Sequence, residues 1–490
     1  MLFNSYAFIF VFLPITLILF HASKSNSNIH LPKVIILLGS LFFYAWWNPY
    51  HLYLISSSII INYYIGGTLS KNKSKIIYAL GILFNVGLLA YYKYFNFFID
   101  NINSVLEHPI SIDQIVLPLA ISFFTFQQVS YLTDCYKSKI TNTNFLDYSI
   151  FVTFFPQLIA GPIVLYKEMS SQFSRSKLIH FDTKLIIIGF FIFTIGLAKK
   201  VLLADNLSGY VDPVFDTASQ GGQFSNADAW MAILAYKFQL YFDFSGYADM
   251  AIGVGLLFGI HLPINFYSPY KAKNIFDFWN RWHATLARFM RSHVFRPLGK
   301  KLNFHYGIQI ALIINILLGG IWHGANWNFL LWGIFNAILL VVNHAYKRVK
   351  RQHLPNSIDT MLFYGPFCIL VTFFFTMLSS VLFRSDNLVA ISNMISNLFV
   401  SNALPSMLKT GIVDILFIAL LFIFVWFLPN THQIFKSYKV GIEITRGIPS
   451  SMLKFSIKRI TLLHTGIFSV LFFACIIMLS SEKEFIYFQF

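Results

Sequence analysis

Long apolar runs alternate with short polar segments along this chain, and the polar segments give the runs a direction. Tyr6–Phe20 opens with no Lys or Arg before it and no small-x-small cleavage site after it, which predicts a retained first span and not a signal peptide. Lys24 and Lys33 follow, so the next loop is expected in the cytoplasm and the N-terminus outside. Val34–Trp47 then runs outward, and His51–Thr68 returns to Lys71, Lys73 and Lys75. Ile76–Ile99 leads out to a loop with Asp100, Glu107 and Asp113 and no Lys or Arg, and Ile115–Leu132 comes back to Lys137 and Lys139.

Three stretches fit a simple crossing less well. Tyr148–Leu165 contains FFPQLIAGP, where Pro156, Gly161 and Pro162 interrupt a helix between basic flanks, so a re-entrant or interfacial segment is expected. Lys184–Ala204 crosses outward toward Asp205, Asp212, Asp216 and Asp228, and its Lys199-Lys200 must snorkel or pair internally. Trp230–Leu262 is expected to return as one crossing plus a broken or half helix, ahead of eight basic residues between Lys271 and Lys301. Tyr306–Ile321 and Trp327–Asn343 form an apolar hairpin, and Met361–Phe383, Ile412–Leu428 and Leu462–Leu479 complete the pattern with the tail outside. The total is about twelve crossings at about 20 residues each. No hydrophilic stretch is long enough for a soluble domain, so residues 1–490 read as one integral-membrane domain. Its motif-bearing core spans 115–345, and its C-terminal spans and tail 361–490.

Composition narrows the class. Of 490 residues, 57% are hydrophobic and 11% charged, against about 25% charged in soluble domains. That balance excludes a soluble globular enzyme, a disordered scaffold and a secreted disulfide module, and leaves an all-α polytopic membrane protein. The net charge of +16 falls mostly in short loops. It therefore points to the positive-inside rule and contact with anionic membrane lipid, not to nucleic acid. Cys135, Cys368 and Cys475 stand apart without CxxC spacing, and no HExxH-like spacing occurs, so neither a metal nor a disulfide is expected.

Two histidines follow Trp at membrane depth, where polar groups are costly and usually face a cavity. His323 sits in GGIWHGANWN at the hairpin tip, where Gly319, Gly320 and Gly324 leave room for a ligand or a close backbone approach. His283 sits in FDFWNRWHATLARFMR, read as one helix mixing aromatics with basic residues. Histidine is suited to take a proton near neutral pH, whereas the same residue can also be a packing group, and the helix of His283 could simply be interfacial. In YFDFSGYADM, Asp243 and Asp249 are expected to cap broken helices or line a polar cavity, and Ser245 to line the same cavity. A triad on Ser245 lacks a GxSxG elbow. Trp282, Asn280, Trp322 and Asn326 flank the two histidines as further cavity-lining candidates. Lys271, Lys273, Arg281, Arg288 and Arg291 form either a lipid-contacting face or a site for cofactor phosphates. The C-terminal EFIYFQF carries one hydroxyl, Tyr487, and reads as an aromatic interfacial anchor or as a tail that inserts into a cavity.

FFPQLIAGPI (Phe154–Ile163), YFDFSGYADMAIG (Tyr241–Gly253), LPINFYSPY (Leu262–Tyr270), FWNRWHATL (Phe278–Leu286), GGIWHGANWNFLLWG (Gly319–Gly333), LFRSDN (Leu382–Asn387) and the terminal FIYFQF occur in this order over most of the chain. Together they resemble the membrane-bound O-acyltransferase (MBOAT) family, in its branch of bacterial alginate and peptidoglycan O-acetyltransferase membrane subunits. The resemblance implies roughly 11–12 transmembrane helices plus re-entrant and half helices around a central funnel. It implies transfer of an acetyl group from cytoplasmic acetyl-CoA, with no bound cofactor, across the bacterial inner membrane. The acetyl group would go to an extracytoplasmic polysaccharide through a periplasmic SGNH-type partner. The family's catalytic histidine falls on His323, its second motif histidine on His283, and a tyrosine acyl acceptor on Tyr487. One departure stands out: Arg291 is followed by Ser292 where the family usually has Arg-Asp, while Pro297-Leu298-Gly299 is retained. The rival readings are an acyltransferase using a longer chain on lipid or protein, and a non-enzymatic transporter of a lipid-linked sugar.

Overall fold

The computed structural model describes residues 1–24, 29–173, 182–353, 361, 363–400, 404–445, 455–479, 483 and 485–486. Among these residues the chain is helical, with only an isolated bridge between Pro263 and Ile442. Apart from short turns, the helices are α1 (Ala7–Ala22), α2 (His30–Ala45), α3 (His51–Lys71), α4 (Lys75–Asn103), α5 (Ile121–Tyr136) and α6 (Phe145–Thr153). They continue with α7 (Thr183–Ser219), α8 (Asn226–Leu257), α9 (Ile275–Arg281), α10 (Ala284–Met290), α11 (Gly307–His323) and α12 (Trp327–His353). The last four are α13 (Tyr364–Arg384), α14 (Leu388–Phe399), α15 (Ile412–Phe427) and α16 (Leu462–Ile477). By length and composition, five described helices (α3, α4, α7, α12 and α13) can each cross a membrane, and six more are apolar but shorter. Exposed apolar residues such as Ile412, Val413, Leu462 and Val470 present a surface suited to lipid.

Side-chain caps start several of these helices. Ser74 caps α4, Asn144 caps α6, Asp182 caps α7 and Asn387 caps α14, while Ser225 and Asp228 form a capping box at α8. The Pro-broken segment is irregular, as expected. α6 ends at Thr153, a short turn covers Phe155–Leu158, and residues 148–164 are all buried against protein, where non-helical backbone is tolerated.

The centre of the body is the α7–α8 pair. A Cβ on Gly253 would lie 2.6 Å from the carbonyl of Gly189, and one on Gly196 would lie 2.5 Å from that of Gly246. Only glycines let the two backbones come this close. The expected break within Trp230–Leu262 does not occur. α8 is continuous for 32 residues and buried along almost its whole length, and the chain becomes irregular only after Leu257. The acids expected to mark a break meet the lysines of α7 instead. Lys199 Nζ lies 2.6 Å from Asp249 and donates to Thr431, while Lys200 Nζ lies 2.7 Å from Asp243 and 2.9 Å from Asp205. Lys199-Lys200 therefore pair internally, where α7 widens into a π-turn at Lys199–Ala204.

Candidate active site

His323 is the last residue of α11. The α11–α12 hairpin closes tightly because a Cβ at Gly320 would sit 2.6 Å from the carbonyl of Phe329, and one at Gly324 2.1 Å from its ring. Gly319 has no such neighbour and faces open space. The last carbonyls of a buried helix need donors, and α4 supplies them. The Tyr94 hydroxyl donates to the carbonyl of Ile321, and Lys93 Nζ to those of Trp322 and His323 at 2.5 and 3.1 Å. A cation at a helix C-terminus also complements the helix dipole. The His323 ring is buried, 6% exposed, and meets Trp332 and Phe383 edge-on with centroids 5.2 and 5.0 Å away.

His283 does not lie inside a helix, contrary to the single helix expected over FDFWNRWHATLARFMR. α9 stops at Arg281, His283 adopts a left-handed φ of 45°, and α10 begins at Ala284. The cause is the extended segment before α9. Tyr267 N donates to the carbonyl of Arg281, and Ala284 N to that of Asn265, which pins the chain on both sides of His283. Asn265 Oδ1 lies 3.1 Å from His283 Nδ1 and also accepts from the Thr285 hydroxyl and amide. Asn265→Ala is expected to cost about 1–3 kcal/mol by orphaning these buried groups; a thermal melt equal to the parent's would contradict that role.

Both histidines line a cavity of about 340 Å³ with Trp279, Asn280, Trp282, Arg291 and Trp332. A second cavity of about 140 Å³ is lined by Trp47, Lys93, Ser122, Trp322 and His323. His323 thus belongs to both.

The other sequence candidates are dispersed. Arg291 donates to Asn280 at the wall of the larger cavity, the pairing it makes with Ser292 in place of an acid at the next position. Lys271 donates to the carbonyl of Leu428, Arg281 pairs with Asp277 and Arg288 with Glu168. Lys273 lies near Gly365. Asp243 is tied to Lys200 and accepts from the amide of Ile486, Ser245 is buried in α8, and Asn326 is exposed and donates to the carbonyl of Asp386. Neither Asp243 nor Ser245 lines the two cavities at His323. Tyr487 lies outside the described residues.

Lys93, Lys237 and Asn265 escaped the sequence reading. Lys93 was visible as a charge inside an otherwise apolar run. Lys237, buried in α8, donates to Thr376 and Ser380 beside a small chamber that also reaches His323. Asn265 lies in the LPINFYSPY motif, which marked the stretch but not the role of this side chain.

An all-helical membrane body with a buried histidine shared by two cavities is the layout of an integral-membrane enzyme. The chain belongs to the membrane-bound O-acyltransferase family, whose profile matches residues 34–385, and it is an acyltransferase. It is 42% identical over 418 residues to the peptidoglycan O-acetyltransferase of Helicobacter pylori, covering 79% of this chain and 78% of that one. It is 34% identical over 399 residues to the probable alginate O-acetylase of Azotobacter vinelandii, covering 79% and 76%. A teichoic acid D-alanyltransferase of Streptococcus thermophilus matches at 33% over 248 residues, 48% of this chain and 58% of that one.

Proposed function

We propose that the protein is an O-acetyltransferase of the bacterial inner membrane that draws on cytoplasmic acetyl-CoA to acetylate a cell-wall or exported polysaccharide. The observation that carries this reading is the placement of one buried histidine on the walls of two cavities. The larger cavity adjoins the basic run after α8 and receives the thioester; the smaller one, on the side of the acidic loop after α4, receives the acceptor, with both termini outside. The names of the Helicobacter and Azotobacter relatives support an acetyl group and a polysaccharide.

His323 takes the proton of an acceptor hydroxyl as its oxygen attacks the thioester carbonyl. The new C–O bond forms, the C–S bond breaks, and the proton passes to the departing thiolate. The aromatic walls hold the reactants close and exclude water. His283, fixed by Asn265, braces the donor side. The acceptor hydroxyl is that of Tyr487, which passes the acetyl group to a periplasmic SGNH-type partner acting on the polysaccharide. Intact mass of the C-terminal peptide after incubation with acetyl-CoA is expected to show one added acetyl group, absent in Tyr487→Phe. Full polysaccharide acetylation by that variant would leave Tyr487 as an anchor only.

A further inference from the structure

A further cavity, of about 480 Å³, lies on the opposite face of α10 from His283 and His323. Along α10 and the π-turn after it, Leu286, Ala287, Met290 and Arg291 face the His323 cavity, while Thr285, Arg288, Ser292 and His293 face this one. Among the described residues its wall carries five cationic side chains, Lys137, Lys139, Arg288, Arg296 and Lys300, against one lining carboxylate, Asp134. Two of the cations are already matched. Lys139 pairs with Asp134 at 2.8 Å, and the Arg288 guanidinium lies 2.5 and 3.1 Å from the carboxylate oxygens of Glu168 and also donates to the carbonyl of Ile163. Lys137, Arg296 and Lys300 have no ion-pair partner among the described residues. Three unmatched cations converging from the end of α5 and the segment after α10 leave a concave region with strong excess positive charge. The Ser130, Thr133 and Ser292 side chains add hydroxyls to the same wall.

We infer that this cavity is a binding site for a phosphate ester, distinct from the His323 cavity and separated from it by the thickness of one helix. Its volume lies in the range of small-ligand sites, about 300–1,000 Å³, and a lysine–arginine set suits phosphate oxygens as point charge and fork respectively. Thr285 is part of the wall and shares Asn265 Oδ1 with His283. The wall of this cavity is therefore tied to the histidine across the helix through Asn265. The same chemistry is offered by the phosphates of a soluble nucleotide and by the headgroup of an anionic lipid. The site does not rest on acyl transfer and is tested by binding alone.

Two probes separate the sources. Adenosine 3′,5′-bisphosphate is titrated against the purified full-length protein by calorimetry. Retention of phosphatidylglycerol over phosphatidylcholine from mixed bilayers is followed by native mass spectrometry. At least one probe is expected to bind, to weaken with salt, and to lose about tenfold or more in affinity in Arg296→Glu/Lys300→Glu. Lys137→Glu, on the α5 side, should weaken the same probe independently and covers the case in which the double variant fails to fold. Lys436→Glu, an exposed cation outside the cavity, should change nothing. Binding of the nucleotide alone assigns a soluble phosphate ester, and lipid retention alone assigns a headgroup. Binding of neither probe, or binding that survives charge reversal or falls equally in Lys436→Glu, overturns the site.

Discussion

His323→Ala is expected to lower acetyl transfer by roughly a hundred- to ten-thousand-fold, the span of general-base contributions, while leaving the protein folded. The ring makes edge-on contacts with Trp332 and Phe383 but borders open cavity on two sides, so its removal enlarges existing space more than it opens a new void. The helix end that carries it stays tied by Lys93 and Tyr94 through backbone carbonyls, which the substitution does not touch. Transfer of labelled acetyl and a melting curve, measured on the same preparation, check both halves. Parent-level transfer in a folded variant would remove His323 from the chemistry.

Lys200→Met should be the most damaging single change to stability. The ammonium is nearly inaccessible and lies between Asp243 and Asp205, so its loss leaves two carboxylates facing each other inside the membrane body. Breaking a buried pair from one side costs about 3–5 kcal/mol, mostly as the penalty of stranded charge. The expected result is a large drop in melting temperature and in recovery from detergent. Adding Asp205→Asn and Asp243→Asn removes the stranded charges and should restore most of the loss. Failure of the triple variant to recover would show that Lys200 matters through packing, for instance through the Phe485 ring 4.6 Å away.

The apolar runs made the helical body legible because a membrane span has one requirement, length, that a sequence displays directly. The irregular FFPQLIAGP and the internal pairing of Lys199-Lys200 were legible too, since proline geometry and the cost of buried charge are local rules. The continuity of α8 was not. Asp243 and Asp249 looked like breaks until their partners on α7 were in view, and those partners lie 43 and 50 residues away. The same limit applies to His283. WNRWHATL is helical in composition, and what opens it is Asn265, contributed by an extended segment upstream. The amphipathic α14 is not legible as a crossing because its apolar face spans too few residues. Among the basic residues after α8, counting charge could not separate cations already paired, such as Arg281 and Arg288, from Arg296 and Lys300, which have no ion-pair partner among the described residues.

In the proposed reaction acetyl passes directly from a donor in one cavity to an acceptor hydroxyl in the other, with His323 as the base that takes the hydroxyl's proton. Proteoliposomes carrying the protein, given labelled acetyl-CoA on the cytoplasmic face only, test it most directly. Acetyl label is expected to accumulate covalently on an acceptor while CoA thiol is released on the donor side, with both signals lost in His323→Ala. Movement of a lipid-linked sugar without acetyl-CoA consumption, or equal labelling in parent and variant, would contradict it.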